Sequence, residues 1–186
     1  MNPPVSEVVA ITGTPGTGKT TVAKILRERG YTVLSVNELA EKLDCIVGED
    51  EGCKIVDVER LREKINSVLP NGIVFLEGHL SHLLNPKKVI VLRCNPLELK
   101  RRLESKGWSE EKVLENVEAE LIDSILVEAL ELCDEVYEID TTSLSPEEVA
   151  NAIEGIVSGE NVEKFRPGKI DWIAIVEDYI DELIRH

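Results

Sequence analysis

The stretch Gly13-Thr14-Pro15-Gly16-Thr17-Gly18-Lys19-Thr20 constrains this chain more than any other. It has the spacing G-x-x-x-x-G-K-[ST], follows the apolar run Val8–Ile11 and precedes a helix-like segment, Thr21–Arg29. In that setting Gly13, Gly16 and Gly18 let the backbone turn tightly, so that successive N–H groups point inward at phosphate oxygens, aided by the N-terminus of the following helix. Lys19 brings a positive charge to the β- and γ-phosphates of a bound nucleotide, Thr20 offers its hydroxyl to magnesium, and Thr21 adds a contact to the α-phosphate. The loop identifies the phosphate donor; the acceptor has to be sought elsewhere in the chain.

Strand signals recur at Val8–Thr12, Thr32–Ser35, Gly72–Glu77, Lys88–Arg93 and Glu135–Asp140, with helix-period segments between most of them. Such βα alternation with short connections predicts an α/β fold, a mostly parallel five-stranded sheet flanked by helices. Several helix starts carry their own chemistry. Asn95-Pro96-Leu97-Glu98 and Ser145-Pro146-Glu147-Glu148 each combine a capping side chain, a proline at the first helical position and a glutamate at the third. Asp57 caps a helix expected to run to Leu69, and Ser109 opens one long helix expected to reach about Cys133.

Two stretches interrupt the pattern. Asp44–Lys54 lacks periodicity and reads as a mobile loop, and Ser158–Lys169 reads as a linker. Beyond the linker, Ile173, Val176, Ile180 and Leu183 form the stripe of an amphipathic helix that either docks on the parent domain or takes a partner. The expected organisation is therefore a phosphate-binding domain over residues 1–158 and a linker with a terminal helix over 159–186.

No run of 18 apolar residues occurs, and Met1-Asn2-Pro3-Pro4 lacks the features of a signal peptide, so a cytoplasmic location without membrane attachment is expected. Cys45, Cys53, Cys94 and Cys133 have no C-x-x-C spacing and read as reduced thiols, and no structural metal is expected. Charge is more informative. Residues 110–163 hold 17 acids against the single base Lys112, while the other 20 basic and 19 acidic residues nearly cancel. A one-sign block is either a solvated face or a surface for a basic partner, and it disfavours direct contact with nucleic acid, whose phosphates need Lys and Arg.

A nucleotide on the loop needs a carboxylate for its metal shell. Glu77 ends the buried strand Ile73–Glu77, and ligands of such sheets gather at the carboxyl ends of strands. His79, two residues on, is expected on the same side of an extended chain, where it orients water or the acceptor or works as an acid or base. His82 reads as structural. Arg102 and Lys106, four apart on one helix face, are the cations expected to reach the triphosphate, Arg102 also stacking on adenine.

Together "GTPGTGKTT", Glu77-x-His79, "VLRCNP" and "RLESKGWSEEKVLEN" resemble the atypical adenylate kinases of the adenylate kinase 6 class, also called coilin-interacting nuclear ATPase or Fap7 proteins, and their archaeal counterparts. The resemblance runs from about Val8 to Ile139. It implies a P-loop NTPase of the nucleoside monophosphate kinase type, with ATP on Gly13, Gly16, Thr17, Gly18, Lys19, Thr20, Thr21 and Lys106, and Mg²⁺ on Thr20 and Glu77. It also implies an AMP-binding region at about 35–58 and a lid at about 105–115. For the family it further implies ATP-to-AMP phosphoryl transfer, ATP hydrolysis, and a role in maturing the small ribosomal subunit precursor through a basic ribosomal protein of the uS11 class.

Three departures matter. Glu77 stands where the family usually has Asp, and Lys106 where Arg is common, which keeps the charge but loses the fork. The helix after the second strand, Asn37–Lys42, lacks the arginine that typically grips AMP, leaving Arg60, Arg62 or Arg93 as substitutes and weak AMP affinity as the expectation. Two readings follow: an adenylate kinase, or an ATP-switched assembly factor whose main acceptor is water. No guanine-reading N-K-x-D segment is present, and another small-molecule acceptor stays open.

Overall fold

The computed structural model describes residues 6–50 and 52–185; Met1–Pro4, on which the absence of a signal peptide was read, lie outside the described residues. Seven strands are formed: β1 (Ser6–Thr12), β2 (Thr32–Ser35), β3 (Ile46–Asp50), β4 (Cys53–Val56), β5 (Gly72–Glu77), β6 (Lys88–Arg93) and β7 (Val136–Asp140). Five of them make one parallel sheet in the order β2-β5-β1-β6-β7, so the strand that feeds the glycine-rich loop lies at its centre. The helices are α1 (Lys19–Glu28), α2 (Val36–Lys42), α3 (Val58–Ile65), α4 (Pro96–Ser105), α5 (Glu110–Leu121), α6 (Ser124–Leu132), α7 (Pro146–Ser158) and the short α8 (Trp172–Ile175).

Both faces of the sheet are covered, as a strand with two apolar faces requires. Val9 and Ile11 of β1 point to a core shared with α1 and α7, where Val22, Leu26 and Ile153 are buried. Ala10, between them in sequence, points the other way, to Val89, Val91 and α6. Further along that side Val74 and Leu76 pack on α2 and α3.

Local signals start the helices as expected. Ser145 and Glu148 close a reciprocal capping box at α7, Asn95 caps α4 ahead of Pro96, and Asp57 accepts from the Arg60 amide at α3. Helix α3 ends at Ile65 rather than Leu69, with the Ser67 and Val68 amides turning back onto Lys64 and Ile65.

Three expectations fail for identifiable reasons. The single long helix from Ser109 is two, because Asp123 adopts a left-handed conformation (φ 57°) and directs its carboxylate to Arg93 at the end of β6. The stretch read as a mobile loop is an antiparallel hairpin, β3–β4, turning at Gly52. It shows no alternation because it projects from the body, leaving Val47 and Ile55 exposed. The final amphipathic helix is replaced by α8 and a 3-10 segment, Glu177–Glu182; Trp172, Val176 and Leu183 are buried on α4 and α5, whereas Ile173 is exposed. Among the described residues, no helix is long and apolar enough to cross a membrane.

Candidate functional site

Backbone shape makes the loop between β1 and α1. Gly13 sits at φ 142°, and a Cβ there would lie 2.4 Å from the Leu92 carbonyl oxygen on the neighbouring strand. Gly16, at φ 94°, would drive a Cβ to 2.9 Å from both Leu99 and Leu103, so the loop is pressed against α4. The Thr14 carbonyl ties the turn together, accepting from the Thr17 amide (3.2 Å) and the Thr17 hydroxyl (2.8 Å).

Lys19 is buried and donates to the carbonyls of Gly13 (2.6 Å) and Thr14 (3.0 Å). Burial pushes its pKa down to about 8; Glu77 and Glu120 work against that shift, and the charge of Lys106 adds to it. The ammonium is thus held in place by weak carbonyl partners that phosphate oxygens can replace.

Glu77 ends β5, paired with Ile11 of β1, and is almost fully buried. The exposed Thr20 hydroxyl donates to it at 3.4 Å. A hydroxyl beside a carboxylate, with phosphate oxygens completing the shell, fits a hard, oxygen-seeking cation such as Mg²⁺. Solvent reaches His79, yet its pKa lies below the ordinary value, first because the surrounding protein displaces water and then because of the charges of Lys19 and His82. Both Glu77 and His79 therefore feel the Lys19 ammonium. His82 is structural: it is buried between the Thr12 hydroxyl (2.9 Å) and Glu128 (2.7 Å).

Arg102 is half-buried. It bonds Glu98 (2.9 Å), reaches the Gly16 carbonyl (3.4 Å) and ties to the carbonyls of Thr141 (3.2 Å) and Thr142 (3.3 Å). Bonds from Arg101 and Arg102 hold the Glu98 carboxyl down at about 2. A cavity of about 360 Å³ opens here, lined by Thr17, Thr21, Arg102, Lys106, Leu144 and Pro146. It lies next to the phosphate loop and has an apolar wall, as a nucleobase requires. Lys106 caps α4 at its exposed end, and Thr21 is open to solvent at the first turn of α1. A larger groove of about 850 Å³ between α7 and residues 160–170 holds none of the loop residues, so chemistry rather than size locates the site.

The cations expected to grip an acceptor are placed differently. Arg93 is fully buried and bonded to Glu120 (2.8 Å), Glu138 (3.0 Å) and Asp123, which removes it from the candidates for AMP. Burial alone would lower its pKa, but Glu120 and Asp123 more than offset that and raise it. Arg60 pairs with Asp44 (3.2 Å), Arg62 with Glu59 (2.7 Å) and the Leu83 carbonyl (2.9 Å), and Lys54 with Glu41. At the tip of the β3–β4 arm, the Lys112 ammonium of α5 lies 2.8 Å from the Cys53 sulfur.

The buried cluster around Arg93 is what sequence reasoning missed. Its signal was present: Arg93 closes the apolar run Val89–Leu92 and Glu138 interrupts Val136–Ile139, and charges against such runs persist only when paired.

Fold and site together define a P-loop nucleotide-binding protein, and residues 9–123 match the family described as AAA domain. The chain is 56% identical over 180 residues to the protein named "Putative adenylate kinase" from Archaeoglobus fulgidus, covering 96% of this chain and 98% of that one. Proteins of the same name from Methanocaldococcus jannaschii (42% over 176 residues; 92% and 96% covered) and Thermococcus gammatolerans (44% over 178; 95% and 98%) match almost as fully. The chain belongs to this archaeal family. The crystal structure of TT1252 from Thermus thermophilus shares the fold, with a TM-score of 0.53 and 23% identity over 82% of this chain and 96% of that one.

Proposed function

We propose that this protein is an adenylate kinase that transfers the γ-phosphoryl group of ATP to AMP, giving two ADP, and that it also hydrolyses ATP slowly. The observation that carries the proposal is the conjunction at the carboxyl edge of the sheet: Lys19 inside a preformed phosphate loop, and Glu77 opposite the Thr20 hydroxyl. The names of the relatives support the same reading.

In this reading the main-chain amides from Gly13 to Thr21 cradle the phosphates, and the cavity beside Arg102 takes the adenine. A phosphate oxygen of AMP attacks the γ-phosphorus in line, and the oxygen bridging the β- and γ-phosphates leaves on ADP. Thr20 and Glu77 would hold Mg²⁺, which would supply positive charge to the phosphates. Lys19, Arg102 and Lys106 neutralise the charge that develops, and closure of residues 105–115, the α4–α5 turn and the start of α5, excludes water. His79 orients whichever acceptor is present, AMP or water. The β3–β4 arm with α2 and α3 bounds the AMP side.

A second reading has its own observation. The acidic block surrounds α6, whose Val127, Leu130 and Leu132, with Ile122 just before it, are exposed among Glu128, Glu131 and Asp134. An apolar stripe with an acidic rim suits a basic partner, consistent with the uS11-class small-subunit protein and the ribosomal precursor that the family resemblance implies, in the cytoplasm. In that case ATP turnover resets a binding module and water is the main acceptor. ADP formation measured with and without AMP, against a Lys19→Ala control, decides between them: AMP-dependent ADP supports the kinase, and AMP-independent phosphate release supports the switch.

A further inference from the structure

The last segment of the chain, to which the proposed reaction gives no role, is wired into the base of the phosphate loop. The Thr14 hydroxyl donates to Glu120 Oε2 at 2.7 Å. The other oxygen of that carboxylate accepts from Arg93 Nε (2.8 Å), the Cys94 amide (3.2 Å) and the Trp172 indole N–H (3.0 Å). Thr14, Glu120 and Trp172 are each at most 3% exposed, so none of these bonds competes with bulk water. A second attachment lies close by: Glu138, partner of Arg93, accepts from the Gly168 and Lys169 amides at 3.0 and 3.1 Å.

The Trp172 ring also lies against the Arg93 guanidinium, 5.8 Å from its carbon to the ring centroid. Thr14, at the far end of the relay, supplies the carbonyl that holds both Thr17 and Lys19. Outside the relay, Trp172, Val176 and Leu183 pack on Leu99, Leu103 and Val113. Leu99 and Leu103 are also the side chains that abut Gly16. Polar and apolar contacts therefore lead from the tail to the same loop by separate routes.

We propose that the C-terminal segment is a positioning element for the phosphate loop: Trp172 orients the Glu120 carboxylate, Glu120 fixes Thr14, and Thr14 holds the loop in its phosphate-accepting shape. This rests on the nucleotide-binding reading above. None of the three side chains touches the reacting atoms, so they act through loop geometry and their removal weakens ATP binding more than it slows turnover.

A double-mutant cycle on the full chain tests the relay. Trp172→Phe keeps the ring and removes one donor; Thr14→Val keeps the shape and removes the hydroxyl. Each raises the dissociation constant for MgATP by about 3- to 10-fold with kcat within about 2-fold, in line with a lost bond to a buried carboxylate. The double variant is no weaker than the worse single one, because both act through Glu120. Wild-type affinity in Trp172→Phe, or a double variant whose loss is the product of the single losses, overturns the proposal. If Trp172→Phe does not fold, a Trp108→Phe protein carries the test, since Trp172 is then its single tryptophan. Its emission is expected to shift on saturation with ATP, and an unchanged spectrum overturns the relay. Failure of the wild-type chain to bind ATP overturns both this proposal and the nucleotide reading beneath it.

Discussion

The two ends of the proposed reaction sit on regions built in opposite ways. On the donor side, a loop fixed by close glycine contacts lies over a buried ionic cluster, with Lys19 already desolvated. On the proposed acceptor side, two short helices pack on the sheet and carry a two-stranded arm with exposed apolar residues, and the cations Arg60, Arg62 and Lys54 are each paired with an acid of the same region. Preorganised charge is what phosphoryl transfer uses, and the phosphate loop holds it already in place, whereas the cations of the proposed acceptor region are engaged with carboxylates. The difference teaches where binding energy is available: on the proposed reading ATP meets a finished surface, and AMP has to displace existing pairs.

The largest expected effect lies on the donor side. Lys19→Ala lowers kcat/KM for ATP by about 10³-fold, by analogy with loss of one preorganised charge-stabilising donor. Steady-state kinetics check this, and a loss under about tenfold breaks the comparison. Next comes the foundation under the loop. Arg93→Met strands Glu120 and Glu138 inside the protein and costs about 3–5 kcal/mol of stability, read from denaturant unfolding.

A pH effect follows in size. The pKa of Lys19 is lowered on folding, from an ordinary 10.5 to about 8, so between those values the unfolded chain binds the extra proton. This group therefore makes the ligand-free protein more stable as pH rises from about 8 to 10.5. ATP needs the charged amine, so its affinity falls by up to about tenfold per pH unit above pH 8, with proton uptake on binding. Calorimetry in buffers of different ionisation heat measures that uptake, and none at pH 8.5 would contradict the assignment.

Substitution on α3 is milder: Arg60→Ala changes the KM for AMP by no more than about 3-fold, since an exposed pair contributes little. Thiol labelling gives the finest contrast. Cys53 on the arm is exposed and reacts in the native state. Cys94, beneath the loop, is buried with its pKa pushed up to about 12, and reacts only after unfolding.

How much of this was legible in the sequence depended on how local its causes were. The five strands of the sheet, the loop and the caps at Asn95 and Ser145 depend on neighbours in the chain, and they could be read from it. The break between α5 and α6 could not, because Asp123 turns left-handed toward an arginine 30 residues away. Apolar spacing continues across that break, so periodicity alone favours one helix. The arm was missed because only its base, Ile46 and Val56, packs on the core, while Val47 and Ile55 stay exposed, so no clear alternation shows. Thr14 fitted the motif as a spacer, and its bond to Glu120, 106 residues on, is a property of the fold alone. Much of the acidic block also proved internal or paired, with Glu120, Glu138 and Asp123 around Arg93, and Glu118 bonded to Arg185.

The most direct test of the contrast is calorimetric titration of one preparation with a non-hydrolysable MgATP analogue, with AMP, and with AMP after saturation by the analogue. The prediction is that the analogue binds at least about tenfold tighter than AMP, and that AMP tightens once the donor site is filled. AMP binding alone as tightly as the triphosphate would contradict it, and would mean that the acceptor site is as preformed as the donor site.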